Sequence, residues 1–158
     1  YLPLSATLTT DEIYSAFYGE TWKLFIHSHS YSANPLACAV ANETLCMLTE
    51  NNFLESLKPK IAAIKEYGKQ FDGIEGYGEF RQTGMIAALE LVRKKKERFP
   101  LRKRVGYQIF LEGLKRGLFL RPLGDVVYFI PPLVITEEEI AVMLNTAHDC
   151  INTVLKCH

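Results

Sequence analysis

The segment from Thr136 to Leu155 carries the pattern that most limits how this chain can fold. Thr136 and Glu139 have the spacing of a capping box, which is typical of a helix start. Apolar residues then recur at helical spacing, namely Ile140, Met143, Leu144, Ala147, Ile151, Val154 and Leu155. A helix with one apolar face must pack that face against another element, so we expect a layered domain.

The segments before this helix alternate between helical and strand patterns. In chain order they are a helix with apolar positions from Leu54 to Phe71, a strand from Phe80 to Val92 with a bend at Gly84, a helix from Val105 to Leu114 stopped by Gly117, and two short strands, Leu118 to Leu120 and Val126 to Ile130. This order predicts a small α+β domain over residues 51–158, with helices on one face of an antiparallel sheet.

Residues 1–50 have a different character and are expected to belong to another domain. Leu4 to Thr9 mixes apolar and β-branched residues, as a buried strand does, and Thr9 or Thr10 can cap a short helix that ends by Gly19. Asn34-Pro35 is a strong helix start, because Asn caps free N–H groups and Pro suits the first helical position. The first half of that helix is apolar on nearly every face, which predicts burial.

Composition excludes several classes of protein. Lys+Arg and Asp+Glu number 18 each, so no overall charge favours nucleic acid or an anionic membrane. No apolar run approaches the roughly 20 residues that a membrane span needs. The basic run Arg93 to Lys96 is expected to be a solvated loop. The four cysteines show no CxxC pair and no zinc-ligand spacing with a histidine, so we expect no metal site, and free, mostly buried thiols in a reducing cytoplasm.

A polar loop, His27 to Ser32, leads into the helix that Asn34 begins. A helix N-terminus has unpaired N–H groups and a partial positive charge, and nearby hydroxyls add donors, so a phosphate could dock there. The alternative is that Ser and Asn side chains merely cap the helix.

Two further positions stand out near the predicted strand pair. Arg121 precedes Pro122 and a glycine turn, where its guanidinium could bind a carboxylate through two parallel hydrogen bonds. The alternative is an arginine paired with a surface acid. Tyr128, close to Pro131-Pro132, could line a pocket with its hydroxyl, or could be an ordinary core or rim residue.

Several stretches resemble one family, the class III, fold-type-I aminotransferases that use pyridoxal phosphate (PLP). They are Leu4 to Thr10, His27 to Ala39, Arg121 to Gly124, Tyr128 and Pro131-Pro132. The last three are similar to the biotin-synthesis branch of the family. The resemblance covers essentially the whole chain, and it implies that residues 1–50 end a large PLP-binding domain while residues 51–158 form its small C-terminal domain.

The resemblance also implies an activity and roles for single residues. This branch moves an amino group from S-adenosylmethionine to 8-amino-7-oxononanoate, giving 7,8-diaminononanoate, in a homodimer with PLP at the subunit boundary. Ser30 matches a threonine that reaches the cofactor phosphate of the neighbouring subunit, with His29 beside it where proline is common. Ser28 matches a glycine of the substrate site, Arg121 an arginine that binds the acceptor carboxylate, and Tyr128 a substrate-pocket tyrosine.

No catalytic residue is expected within this chain. In the family, the lysine that holds PLP lies just before the Leu-Ser-Ala-Thr strand, which would place it upstream of Tyr1. The chain begins Tyr1-Leu2-Pro3 without an initiator methionine, so we expect a fragment that is inactive alone. Two alternatives stay open: another class III aminotransferase, of the ornithine, acetylornithine or 4-aminobutyrate type, and a non-catalytic module that dimerises or binds a partner.

Overall fold

The computed structural model describes residues 2–93 and 97–157, and the chain divides into two compact units, Tyr1–Phe53 and Leu54–His158. Three of the four residues of the predicted basic loop, 94–96, lie outside the described residues. The role of the first unit as the end of a larger domain stays a prediction. Within the described ranges, no helix is long and apolar enough to cross a membrane.

The first unit contains two α-helices, α1 (Asp11–Ser15) and α2 (Pro35–Thr49), with a 3₁₀ turn at Thr21–Lys23 between them. The Thr10 hydroxyl accepts a hydrogen bond from the Ile13 N–H at 3.4 Å and so caps α1. Asn34 caps α2, since its Oδ1 accepts hydrogen bonds from the N–H groups of Leu36 and Ala37 at 3.0 and 3.3 Å. The helix starts predicted at Thr10 and Asn34 are therefore confirmed.

Two predictions for the first unit are wrong in this structure. Residues 2–10 are exposed and belong to no strand, and α2 buries only Ala37, while Leu36, Leu45 and Met47 are exposed. The physical reason is the same in both cases. An apolar pattern expresses a tendency to be buried, but burial also needs a pairing strand or a covering layer, and the described residues of this unit supply neither.

The second unit is an α+β fold built on a four-stranded antiparallel sheet. Its elements are α3 (Phe53–Gly68), a 3₁₀ turn at Lys69–Gly73, β1 (Tyr77–Thr83), β2 (Ile86–Leu91), a 3₁₀ turn at Leu101–Lys103, α4 (Val105–Lys115), β3 (Arg121–Leu123), β4 (Val126–Phe129) and α5 (Glu137–Leu155). The first residue of α3, Phe53, is counted with the first unit. The strand order is β1-β2-β4-β3, and each neighbouring pair is antiparallel. The α+β prediction for this part of the chain is confirmed.

The core of the second unit lies on one face of this sheet. Alternate residues of β2 and β4 are buried, which is the pattern of a sheet covered on one side. The buried core residues of the strands and α-helices are Ala87, Leu89, Leu91, Val127, Phe129, Leu57, Ile64, Val105, Ile109, Ile140, Leu144, Ala147, Cys150, Ile151 and Val154. The apolar stripe predicted for α5 therefore supplies a large part of the core.

Strand boundaries differ from the predicted ones in two places. The single strand predicted from Phe80 to Val92 is a hairpin, in which Thr83 pairs with Ile86 around a two-residue turn and Gly84 has a φ of +55°. Positive φ at the first turn position strongly favours glycine, so Gly84 reverses the chain where a bend was expected. The strand predicted at Leu118 to Leu120 is wrong: the strand is Arg121–Leu123, because pairing with β4 begins at Arg121 opposite Tyr128, and Leu120 is buried without pairing in the sheet.

The cysteines are free, as predicted, but they are not mostly buried. Cys150 is buried and burial raises the pKa of its thiol, whereas Cys46 and Cys157 are exposed and Cys38 is partly exposed. The prediction of burial is wrong because residue type gives only the average burial of cysteine, whereas the exposure of each one depends on which face of its helix it occupies.

The capping box of α5 gives a first testable prediction. The Thr136 hydroxyl accepts from the Glu139 N–H at 3.2 Å, and the Glu139 carboxylate accepts from the Thr136 N–H at 2.9 Å. Thr136→Ala is expected to lower the free energy of unfolding by about 1 kcal/mol, because one N–H loses its partner. Urea denaturation measures the change. Thr136→Ser, which keeps the hydroxyl, should stay close to the parent, and an equal loss in both variants would contradict the capping explanation.

Candidate functional site

Arg121 and Tyr128 are direct neighbours across the β3–β4 hairpin. The pairing register places Arg121 opposite Tyr128, Pro122 opposite Val127 and Leu123 opposite Val126. Directly opposed residues of antiparallel strands project from the same face, with Cβ atoms about 5 Å apart. The hairpin thus brings a guanidinium and a phenol together, two groups that sequence reasoning singled out separately.

The hairpin turn that sets this register is held from two sides. Gly124 has a φ of +61°, which suits glycine in a two-residue turn. The Asp125 carboxylate accepts a hydrogen bond from the Phe99 N–H at 3.1 Å, and the Asp125 carbonyl accepts one from the Leu91 N–H at 2.8 Å. Asp125 therefore ties the turn to β2 and to the segment before α4, a role that sequence reasoning missed.

A cavity of about 720 Å³ in the second unit includes both residues in its wall. Its lining is mostly apolar, with Phe119, Ile130, Pro131, Pro132, Val134, Ile135 and Met143 among the contributing residues. Arg121 is exposed, and its guanidinium makes no ion pair or hydrogen bond with the residues described at 2–93 and 97–157. The alternative of an arginine paired with a surface acid therefore finds no acid among those residues. Glu139 also lines the cavity, where its carboxylate accepts the Thr136 N–H of the capping box. A mostly apolar cavity whose one cationic side chain has no partner among the described residues suits an organic carboxylate.

The predicted phosphate loop lies in the first unit and is organised by a serine that sequence reasoning overlooked. The Ser32 hydroxyl accepts from the His29 N–H at 3.2 Å, and the Ser32 N–H donates to the His29 carbonyl at 3.0 Å. Ala33 follows with a φ of +56°, and Asn34 then begins α2. Serine side chains commonly form such local turns, which is the signal that could have identified Ser32.

Asn34 caps α2, as the alternative to a phosphate site proposed, but the side chains of Ser28 and Ser30 do not cap this helix. Because Asn34 already accepts from the Leu36 and Ala37 N–H groups, these first helical donors are not free for an anion. Ser28 and Ser30 are exposed, and their hydroxyls have no hydrogen-bond partner in the described ranges. The N–H groups of Ser30 and Tyr31 are equally uncommitted there. Adjacent N–H and hydroxyl donors of this kind fit a phosphate group.

Aromatic rings form a continuous series leading to this loop. Phe17 packs against Phe25 at 5.7 Å between ring centroids, Phe25 stacks on His27 at 5.5 Å and 8°, and His27 meets His29 edge to face at 4.8 Å. The series ends at His29, the residue that precedes Ser30 in the chain. Among the residues described, no group of three His, Cys, Asp or Glu side chains is placed to hold a metal ion.

Comparison with known proteins identifies the family. The family described as aminotransferase class-III matches residues 2–151. Adenosylmethionine-8-amino-7-oxononanoate aminotransferases of Aquifex aeolicus and Geobacter sulfurreducens are 45% and 44% identical, over 92% and 98% of this chain and 33% and 35% of their own lengths. The crystal structure of the enzyme so named from Methanocaldococcus jannaschii has a TM-score of 0.89 at 37% identity, covering 97% of this chain and 36% of that one.

The chain thus spans about a third of the length of the relatives that it matches. The match nevertheless covers almost every residue of this chain, and it includes both the loop before α2 and the β3–β4 hairpin. This chain belongs to the class III aminotransferases and has their fold-type-I architecture.

Proposed function

We propose that this chain is the C-terminal part of an aminotransferase of biotin synthesis. The enzyme transfers an amino group from S-adenosylmethionine to 8-amino-7-oxononanoate and so forms 7,8-diaminononanoate. The observation that carries the proposal is the cross-strand pair of Arg121 and Tyr128 in an apolar cavity, with no acid paired to the guanidinium in the described ranges. The similar enzymes of Aquifex aeolicus, Geobacter sulfurreducens and Methanocaldococcus jannaschii carry the name of this activity, which supports the proposal.

Arg121 and Tyr128 both bind the acceptor, through different kinds of contact. The guanidinium binds the carboxylate of 8-amino-7-oxononanoate through two charge-assisted hydrogen bonds, far from the ketone that reacts. Binding energy from this remote end orients the reacting end. Tyr128 lines the same pocket with an amphipathic ring whose hydroxyl offers a further polar contact.

In the proposed enzyme, Ser30 would hold the phosphate of PLP in the neighbouring subunit, with His29 beside it, and Ser28 would border the substrate site. Support comes from the uncommitted hydroxyls of the loop and from its ordered turn at Ser32. When bound, PLP supplies the electron sink for both half-reactions. We place the working enzyme in the cytoplasm as a homodimer, and its reactive lysine upstream of Tyr1, so that this chain alone is inactive.

An amino-donor screen of the full-length enzyme tests the proposal. Each donor is incubated with the enzyme and 8-amino-7-oxononanoate, and 7,8-diaminononanoate is measured by mass spectrometry. S-adenosylmethionine is expected to support product formation, whereas glutamate is not. Preference for glutamate would reject the assignment in favour of an ornithine-, acetylornithine- or 4-aminobutyrate-type enzyme. Use of lysine would retain the biotin step and change only the first half-reaction.

A further inference from the structure

Phe119 is a large aromatic residue that is left open to solvent at the cavity that contains Arg121. Phe119 is 71% exposed, although the next residue, Leu120, is buried. Phe119, Arg121 and Tyr128 all line the same cavity. An exposed apolar side chain is unremarkable when isolated, but one beside an unpaired cation in a concave site suggests a ligand that is both apolar and anionic.

The ring of Phe119 is held in place without being buried. It meets Phe110 of α4 edge to face, with centroids 5.5 Å apart at 85°. Phe110 in turn lies 5.8 Å from Tyr107, and the Arg104 guanidinium lies over the Tyr107 ring at 4.2 Å. Aromatic pairs of this geometry are attractive beyond simple area burial. Phe119 is therefore preorganised by its contact with α4 in the wall of the cavity, which lowers the entropic cost of binding a ligand there.

Apart from Thr136 and Glu139, which bond each other in the capping box of α5, the rest of the cavity wall is apolar and indicates what kind of ligand chain would fit. Ile130, Pro131, Val134 and Met143 contribute apolar surface to the same cavity. A ligand with a carboxylate on Arg121 would run its remaining atoms along such surface. An unbranched methylene chain fits this wall, because it has no polar atoms that would lose hydrogen bonds with water.

We propose that Phe119 contacts the methylene chain of the acceptor whose carboxylate binds Arg121, and that this contact sets the enzyme's selectivity for chain length. The inference rests on the proposed function and adds a specificity-determining residue to it. Phe119 acts on the acceptor alone, so the amino-donor half-reaction is independent of it.

The test compares three variants of the full-length enzyme: Phe119→Ala, Phe119→Leu and, as a matched control, Leu101→Ala. Leu101 is 89% exposed in the same unit and does not line the cavity. Each protein is assayed with 8-amino-7-oxononanoate and with a homologue that has a shorter methylene chain. The donor half-reaction is followed separately by the change in cofactor absorbance, and thermal denaturation compares the folding of the variants.

Phe119→Ala is expected to lower kcat/KM for 8-amino-7-oxononanoate by about tenfold, mainly through KM, because an apolar contact of one or two methylenes is lost. The shorter homologue should lose less, so the preference for the longer chain falls. Phe119→Leu should retain most of the preference, and Leu101→Ala all of it, while the donor half-reaction stays unchanged in every variant.

An unchanged chain-length preference in Phe119→Ala would overturn the inference. So would an equal loss in Phe119→Leu, or in Leu101→Ala, since either would show a general structural effect. If Phe119→Ala does not fold, Phe119→Leu decides the question. Its side chain is smaller than that of phenylalanine, so a partial fall in the chain-length preference supports the inference, and a preference equal to that of the parent overturns it. Failure of the proposed function is seen separately, because the parent enzyme would then not convert 8-amino-7-oxononanoate at all.

Discussion

Replacing Arg121 by alanine in the full-length enzyme is expected to raise KM for 8-amino-7-oxononanoate by about a hundredfold. Two charge-assisted hydrogen bonds to a carboxylate are together worth about 3 kcal/mol, and each 1.4 kcal/mol is a factor of ten in binding. Arg121 can supply both bonds, because its guanidinium has no partner among the described residues and lines the apolar cavity. The reaction with S-adenosylmethionine alone should be unaffected, because Arg121 is assigned to the acceptor.

Steady-state kinetics with each substrate varied in turn measures this change. Arg121→Lys keeps the positive charge but loses the planar, two-pronged geometry, so its KM should lie between those of the parent and the alanine variant. Arg102→Ala removes an exposed arginine of the same unit that does not line the cavity, and it serves as the matched control. Unchanged affinity for the acceptor in Arg121→Ala would refute the proposed role of this residue.

Replacing Gly106 by alanine is expected to destabilise the second unit by about 2 kcal/mol or more. A Cβ at Gly106 would overlap the Gly124 carbonyl oxygen and would lie 2.8 Å from the Cβ of Pro122. Helix propensity alone would favour alanine over glycine by about 1 kcal/mol. The overlap outweighs this preference, because a backbone oxygen cannot move away by a rotamer change, and α4 must therefore separate from the β3–β4 hairpin.

Urea denaturation measures the loss, and Gly73→Ala is the matched control. A Cβ at Gly73 meets nothing within 4 Å, and its backbone does not require positive φ, so this variant should be neutral or slightly more stable. Because Pro122 follows Arg121 in β3, Gly106→Ala should also weaken acceptor binding in the full-length enzyme. Stability equal to that of the parent would show that α4 and the hairpin pack less closely than described.

Several local features of this fold were predictable because they depend on residues only a few positions apart. The capping box of Thr136 and Glu139, the cap at Asn34 and the helix stop near Gly117 were all predicted correctly. A hydrogen bond from a side chain to a backbone N–H three residues away involves no distant partner. The stripe of α5 was predictable for a related reason, since helical spacing repeats within the helix itself.

Burial and strand boundaries were harder to predict, because they depend on neighbours that are distant in the sequence. The apolar pattern of α2 and the β-branched run at Leu4 to Thr9 both indicated burial, and neither segment is buried in this structure. The hairpin around Gly84 was predicted as one bent strand, because a single glycine inside a strand pattern is compatible with a bend as well as with a reversal of the chain.

The sequence by itself determined the helix starts, the α+β character of residues 54–158 and the chemical types of the candidate site residues, because these follow from local bonding and side-chain chemistry. Only the tertiary structure decided that Arg121 faces Tyr128, since register depends on the geometry of the Gly124-Asp125 turn and on its ties to Phe99 and Leu91. A shift of one residue would turn one of the two side chains to the opposite face of the sheet.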